Sequence, residues 1–388
     1  MIEPGKICFL QVAHLHDDDR VWFHQTKLLK ENGLDVSVIS TRANQSETEN
    51  VFCFDDSGMK KWIVNKKISE ILHKINPDLI ICDNPLSVFF ASNYKKRKNR
   101  SVRIILDVTE WYPSKKNLAN LTCFKRLIKK IVLKILNFHS GFLVNGFIFG
   151  EEDKAKLFKK YFKRKPFINL PYYPDLKYID KGKPKKDFSI WHFLYSGPLN
   201  MDKGFYNLLG AFKISALENQ NHTFILNIIT KDILTEKQHA VISHIPNNLE
   251  IKFQDYMQFE TFCKEIARYD IFLDLREKDK ENNQCLPIKL FYYMACGKPA
   301  IFSDLDAIRS QVPEIDEFAC LTNPNDYSNI SRIISEYITH TEKYAQHSAA
   351  ALKYSREKYN WEILSAQFLR FIKMQILSKH AKIESFDN

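Results

Sequence analysis

Short apolar runs of strand length alternate with helical stretches along nearly the whole chain, and this alternation restricts the folds open to it. Residues 6–13 form the first apolar run, followed by the loop HLHDDDR. Residues 21–32 then place Trp22, Gln25, Leu28 and Leu29 at helical spacing and stop at Gly33. Residues 35–40 (DVSVIS) make a second short strand. Strand, loop, helix, strand is the opening of a parallel sheet. The pattern predicts further strands at 78–82, 102–108 and 141–149, with helices at 68–75, 86–94, 123–138 and 151–162. From Pro166 the text changes to PFINLPYYPDLKYIDKGKPKKD, whose prolines and charges read as a connection between domains. A second series opens at 189–195, with strands at 224–230, 249–253, 271–275 and 299–303 separated by helices and followed by a helical tail. The expectation is an α/β chain of two doubly wound domains facing across a cleft. They cover 1–170 and 189–355, with a linker at 171–188 and a C-terminal helix at 356–388 that returns toward the first domain. Ligands of such sheets bind beyond the carboxyl ends of the strands, which places the expected site in the cleft.

Charge is unevenly spread. The 388 residues carry 57 Lys and Arg against 46 Asp and Glu. Between Lys95 and Lys186 the count is 25 basic to 7 acidic, whereas the remainder has 32 basic and 39 acidic. Such polarisation points to a polyanionic surface, either membrane headgroups or nucleic acid. Residues 123–138 (CFKRLIKKIVLKILNF) put Lys125, Arg126, Lys129, Lys130 and Lys134 on one side of a helix. Leu127, Ile128, Ile131, Val132 and Ile135 fall on the other. Such a helix lies on an anionic membrane or packs its apolar face on the sheet. Motifs of helix-turn-helix, RNP, KH or finger type are lacking, which disfavours nucleic acid. The first residues lack the long apolar core of a secretory signal, and 131–149 is too interrupted to span a bilayer. The expected location is cytoplasmic, peripheral at the inner face of the cell membrane. Eight scattered cysteines without a C-x-x-C pair read as reduced core residues.

Two segments carry candidate chemistry. The loop YSGPLNMDKG (195–204) joins a strand to a helix. Gly197 lets a ligand approach the backbone, and Lys203 adds charge at a helix start, a combination suited to a diphosphate. In the segment 275–303, Pro287 sits at a helix start and Gly297 at its stop. Lys289 lies in the first turn, where a cation opposes the helix dipole unless an anion binds there. Arg276 follows a buried strand directly. In the first half, Asp19 and Arg20 follow the first strand, as an acceptor-orienting pair or a structural ion pair. His14, His16, Asp17, Asp18 and Asp19 lack a further ligand at metal spacing, so no metal is expected.

The set of motifs resembles family 4 glycosyltransferases of the GT-B type. PIKLFYYMACGKPAIFSD (287–304) is similar to that family's PxKLFEYMAxGKPVIxS helix. YSGPLNMDKG is similar to the opening of its nucleotide-binding domain, and YNWEILSAQFL (359–369) to its closing helix. DDDRVWFHQTKLLKENGLDVSVIS (17–40) and LDVTEWYP (106–113) match its N-terminal segments. The resemblance implies transfer of a sugar from a UDP- or GDP-linked donor with retained configuration and no separate cofactor. Lys203 and Lys289 would hold the diphosphate, with Gly197, Arg276, Gln284 and Tyr292 also on the donor side. Glu110 would orient the acceptor hydroxyl, with Asp19, Arg20 and Thr109 beside it. The acceptor would be a glycan or lipid-linked, as in surface polysaccharide or lipopolysaccharide synthesis. The sequence departs from the family where Gln284 and Tyr292 replace two glutamates, Thr109 a histidine, and Pro198 an arginine. Those departures leave a second reading, a non-catalytic nucleotide-sugar or glycan binding protein. A third is a basic nucleic-acid-binding protein.

Overall fold

Two all-parallel sheets organise the chain. The computed structural model describes residues 5–42, 46, 48–110, 112–119 and 121–384. Trp111 of the 106–113 segment and the last four residues of the C-terminal stretch lie outside them. The first sheet comprises β1 (Lys6–Gln11), β2 (Asp35–Ser40), β3 (Val51–Cys53), β4 (Leu79–Cys82), β5 (Arg103–Val108), β6 (Gly146–Phe149) and β7 (Phe167–Asn169). Its order is β3-β2-β1-β4-β5-β6-β7. The second comprises β8 (Ile190–Ser196), β9 (Thr223–Thr230), β10 (Leu249–Asp255), β11 (Ile271–Asp274), β12 (Ala300–Ser303) and β13 (Ala319–Thr322). Its order is β10-β9-β8-β11-β12-β13. Central strands such as Leu79–Cys82 and Ala300–Ser303 are buried throughout, as expected for strands covered on both faces. In each sheet the order reverses beside the first strand, between β1 and β4 and between β8 and β11. Both domains are thus doubly wound and Rossmann-like.

Three strands went unread in the sequence. β3 and β13 are only three and four residues long and partly buried, and β7 lies inside the proline-rich stretch that opens at Pro166. The predicted strand at 141–149 starts only at Gly146. Residues up to Leu143 continue the basic helix, Cys123–Leu143, and Asn145 then ties into β5 through Ile104. Gly141 lies inside this helix, where the Phe162 ring takes the space of a Cβ, at 2.4 Å. The cysteines are all free, and Cys123 is exposed rather than in the core.

The described residues up to Tyr172, with those from Glu362 on, form one compact unit, and Tyr173–Trp361 form the other. The helix Trp361–Glu384 belongs mostly to the first unit, where Gln375 accepts a 2.7 Å hydrogen bond from Arg103. The segment read as a linker is a strap on the second unit. Gly182 N donates to Cys296 O at 2.9 Å, and Lys185 pairs with Asp270 at 2.8 Å.

Candidate active site

The carboxyl ends of β8 and β11 collect cations. β8 ends at Ser196, and a loop leads to the helix Phe205–Glu218. Gly204 is the glycine this loop cannot replace. Its φ is +83°, and a Cβ there would lie 1.9 Å from Leu275 O. Gly197, singled out from the sequence, would bring a Cβ to 3.1 Å of the Tyr195 hydroxyl only, a looser restriction. The Tyr195 hydroxyl braces the loop, 2.6 Å from Pro198 O and 3.2 Å from Lys203 O. Lys203 Nζ pairs with Asp202 at 2.9 Å and donates to Asn282 Oδ1 at 2.9 Å. Asn282 is buried, and its amide donates to Glu277 O at 2.9 Å. One asparagine therefore locks the two strand-end loops together.

Asp274, at the end of β11, is buried. Arg276 clasps it with Nε on Oδ1 at 2.8 Å and Nη2 on Oδ2. Lys289, in the first turn of the helix Ile288–Ala295, donates through Nζ to Ser196 O. Burial works to raise the Asp274 carboxyl, yet Arg276, Lys289 and Lys203 together hold it below its ordinary value. Burial works against the Arg276 charge, and Asp274 more than restores it. Lys289 is pushed down to about 8, by burial first, with Arg276 and Lys203 adding repulsion and Asp274 opposing them. The structure thus brings Lys203, Arg276 and Lys289 together around one carboxylate. With Asp202 on Lys203 and Asp274 on Arg276, three cations stand against two carboxylates, and the one positive charge left over at the strand ends attracts anions.

It does not bring Gln284 and Tyr292 to that cluster in the same way. Gln284 is exposed at the end of the turn Asn282–Gln284. Tyr292 is buried in the core, its ring edge-on to Phe259 at 6.0 Å. Tyr292 packs against Phe259, and its neighbour Tyr293 is the ring of this helix that stacks on the sheet, 4.1 Å from Phe272.

In the first unit, polar groups collect at the carboxyl ends of β1, β4 and β5. Two adjoining hollows, with room of about 10 and 190 Å³, share His14, Asp83, Asp107 and Thr109 on their walls. Glu110 lines the larger and Asp18 the smaller. The Gln11 amide, Asp83 Oδ1 and Thr109 Oγ1 are buried without a hydrogen-bond partner. Polar atoms left without a protein partner on one hollow are available to water or to a polar ligand. Asp83 Oδ2 accepts from Val12 N at 2.9 Å and Ala13 N at 2.8 Å. Burial raises its carboxyl, against the pull of His14 and the Ala13 amide. Asp18 is pushed up to about 6 by burial and by Asp19, with His14 opposing at 3.6 Å.

Arg20 does not reach these hollows. It is buried, with Nη1 2.9 Å from Asp107 Oδ1 and Nη2 donating to Leu170 O at 3.1 Å. Its guanidinium lies over the Tyr172 ring at 4.4 Å. Burial works to lower its pKa, and Asp107 reverses that. Of the two roles the sequence left open, the structural ion pair is the one observed, and the partner is Asp107 rather than Asp19. Asp19 starts the helical turns that run from Asp19 to Glu31, and its Oδ1 accepts from Arg20 N at 2.9 Å. Sequence reasoning missed Asp83 and saw His14 only as a metal candidate. The signal for Asp83 was available, since an acid directly after a buried strand at the switch point faces the ligand side. Among the described residues, no group of three His, Cys, Asp or Glu is placed to hold a metal ion.

No family model matches the sequence, and no curated protein does. Solved structures do. The sucrose-phosphate synthase of Thermosynechococcus elongatus is 13% identical with a TM-score of 0.72, over 96% of this chain and 100% of that one. A glycosyltransferase from Rickettsia africae is 15% identical with a TM-score of 0.67, over 96% and 99% of the two chains. Anabaena HepE, solved in complex with UDP-glucose, is 14% identical with a TM-score of 0.65, over 95% and 99%. At such identities the likeness is one of fold. With its two parallel sheets in the order described, the chain has the GT-B fold of these glycosyltransferases.

Proposed function

We propose that the chain is a glycosyltransferase that takes a sugar from a nucleotide-sugar donor, UDP- or GDP-linked, and transfers it to a glycan or lipid-linked acceptor. The observation that carries this reading is the cluster of Lys203, Arg276 and Lys289 at the carboxyl ends of β8 and β11. In this reading Lys203 and Lys289 grip the donor's diphosphate. Arg276, already clasped to Asp274, fixes the field around them. The bond from the sugar's anomeric carbon to the phosphate oxygen breaks, and its electron pair leaves with the diphosphate. The acceptor oxygen forms the new bond. With configuration retained, its proton passes to the diphosphate, which sits on the same face. Cations fixed in advance where that charge develops are worth about 3 kcal/mol each. Glu110 and Thr109 orient the acceptor, and His14 supplies in the same hollow the imidazole that Thr109 does not. A role in surface polysaccharide synthesis fits this acceptor class.

The reading is tested with a panel of UDP- and GDP-sugars. Release of nucleoside diphosphate, slow without acceptor and faster with one, is expected. Binding of nucleotide with neither hydrolysis nor transfer would favour the non-catalytic reading motivated by Gln284 and Tyr292.

Lys289 also gives a pH signature. A bound diphosphate favours the charged lysine, so binding raises its pKa above about 8 and takes up protons near pH 8. Calorimetry at pH 8 in buffers of different ionisation enthalpy should detect this uptake, and Lys289→Met should abolish it.

A further inference from the structure

The helix Cys123–Leu143 is mounted opposite to the usual way. Surface helices of α/β domains bury their apolar stripe. Here Ser140 and Gly141 are buried and Leu133, Asn137 and Leu143 half-buried, so the helix rests on a narrow side of small, polar and two leucine residues rather than on its apolar stripe. At about 100° per residue, the stripe of Phe124, Leu127, Ile131, Ile135 and Phe142 lies on the opposite side. These five side chains are between 50 and 74% exposed. The stripe continues onto the neighbouring helix Glu152–Tyr161, where exposed Tyr161 meets Phe138 edge-on at 5.1 Å. Lys130 and Lys134 flank one edge of the stripe, and Lys125 and Lys129 the other. The helix has no acidic residue. The helix Pro85–Arg97, whose Phe89 stacks on His139 at 5.9 Å, adds Lys95, Lys96 and Arg97 in its last turn.

We propose that this face docks the first unit on an anionic lipid bilayer, with the helix lying in the plane of the interface. Its apolar stripe enters the acyl boundary, and the flanking lysines reach back to headgroup phosphates. Charge complementarity selects this occupant. Lysine is depleted from protein interfaces, and a two-fold contact between copies of this helix would set lysines against lysines with no acid to answer them. A phosphodiester backbone would leave the apolar stripe without a partner. No helix among the described residues is long and apolar enough to cross a membrane. At 1.5 Å per residue the helix is about 30 Å long, and its lysines hold it at the surface.

The inference does not rest on the donor reading, because its test uses neither nucleotide nor turnover. The full chain is sedimented with vesicles of phosphatidylcholine alone or with about 30 mol% phosphatidylglycerol, at about 0.1 and 0.5 M NaCl. Anionic vesicles are expected to bind at least about tenfold more tightly than neutral ones, with binding weakened about tenfold by the higher salt. Ile131→Asp with Ile135→Asp should lower the affinity by about 30-fold or more, with the melting temperature unchanged because both sites are exposed. Lys125→Gln, Lys129→Gln and Lys130→Gln together should lower it by about tenfold or more. Failure of the parent protein to bind vesicles would overturn the proposal, as would equal binding by the aspartate variant. So would a dimer in solution that the aspartate variant dissociates, since a second copy would then cover the face.

Discussion

Lys289→Met is expected to cut turnover about 100-fold while leaving the protein as stable as the parent or slightly more so. The two halves of this expectation share one cause. The ammonium sits in a partly buried place beside Arg276, and the pKa pushed down to about 8 records what holding the charge there costs. The unfolded lysine keeps its proton to about pH 10.4. Between those values the unfolded chain binds more protons, so stability rises with pH from about 8 to about 10.4. At neutral pH the folded state therefore carries a penalty that methionine removes. Ser196 O loses a donor, but Ser196 is half-exposed and water replaces it. A charge kept at a cost to folding serves the bound ligand. Lys203→Ala should lose turnover to a similar extent, and the double variant little more, because the two lysines act on one leaving group. Steady-state kinetics with thermal melts check this. Near-normal turnover of either variant would remove that lysine from the site.

Arg20→Met is expected to destabilise the first unit by about 3–5 kcal/mol. The substitution leaves the Asp107 carboxyl, which burial already raises, with a 3.5 Å contact from Gln25 and the pull of His14 to answer it. The Leu170 carbonyl and the Tyr172 ring lose their partner as well. The double variant Arg20→Met, Asp107→Leu should recover more than half of the loss, because the buried carboxyl left without its partner causes most of it. Urea unfolding of the four proteins in this cycle measures the coupling. A loss below about 1 kcal/mol in the single variant would mean that the pair is not the brace described. Donor affinity per folded molecule should not change in any of the four.

These two residues show what the sequence carries and what it withholds. Lys289 was legible, because a cation in the first turn of a helix that starts at Pro287 is a local anomaly. Both sheets were legible for the same reason, since apolar runs bounded by glycine and proline report locally on buried parallel strands. Arg20 stood out as a residue, but its partner lies 87 positions away and no spacing rule connects them. Asp83 was legible as an acid directly after a buried strand, whereas Asp18 reaches the first unit's hollow through the path of a loop, which periodicity does not encode. The helix Cys123–Leu143 is the sharpest case. Its two faces are plain in the residue pattern, but which face meets the body depends on where Phe162 and Phe89 stand.

The central measurement is the affinity of the full chain for UDP against uridine, and for GDP against guanosine, at equilibrium. If Lys203 and Lys289 hold a pyrophosphate, one diphosphate should bind at least about 100-fold more tightly than its own nucleoside, about two charge-assisted contacts' worth. That advantage should disappear in the Lys203→Ala, Lys289→Met double variant. A nucleoside that binds as tightly as its diphosphate, or an advantage that survives the double substitution, would contradict the account.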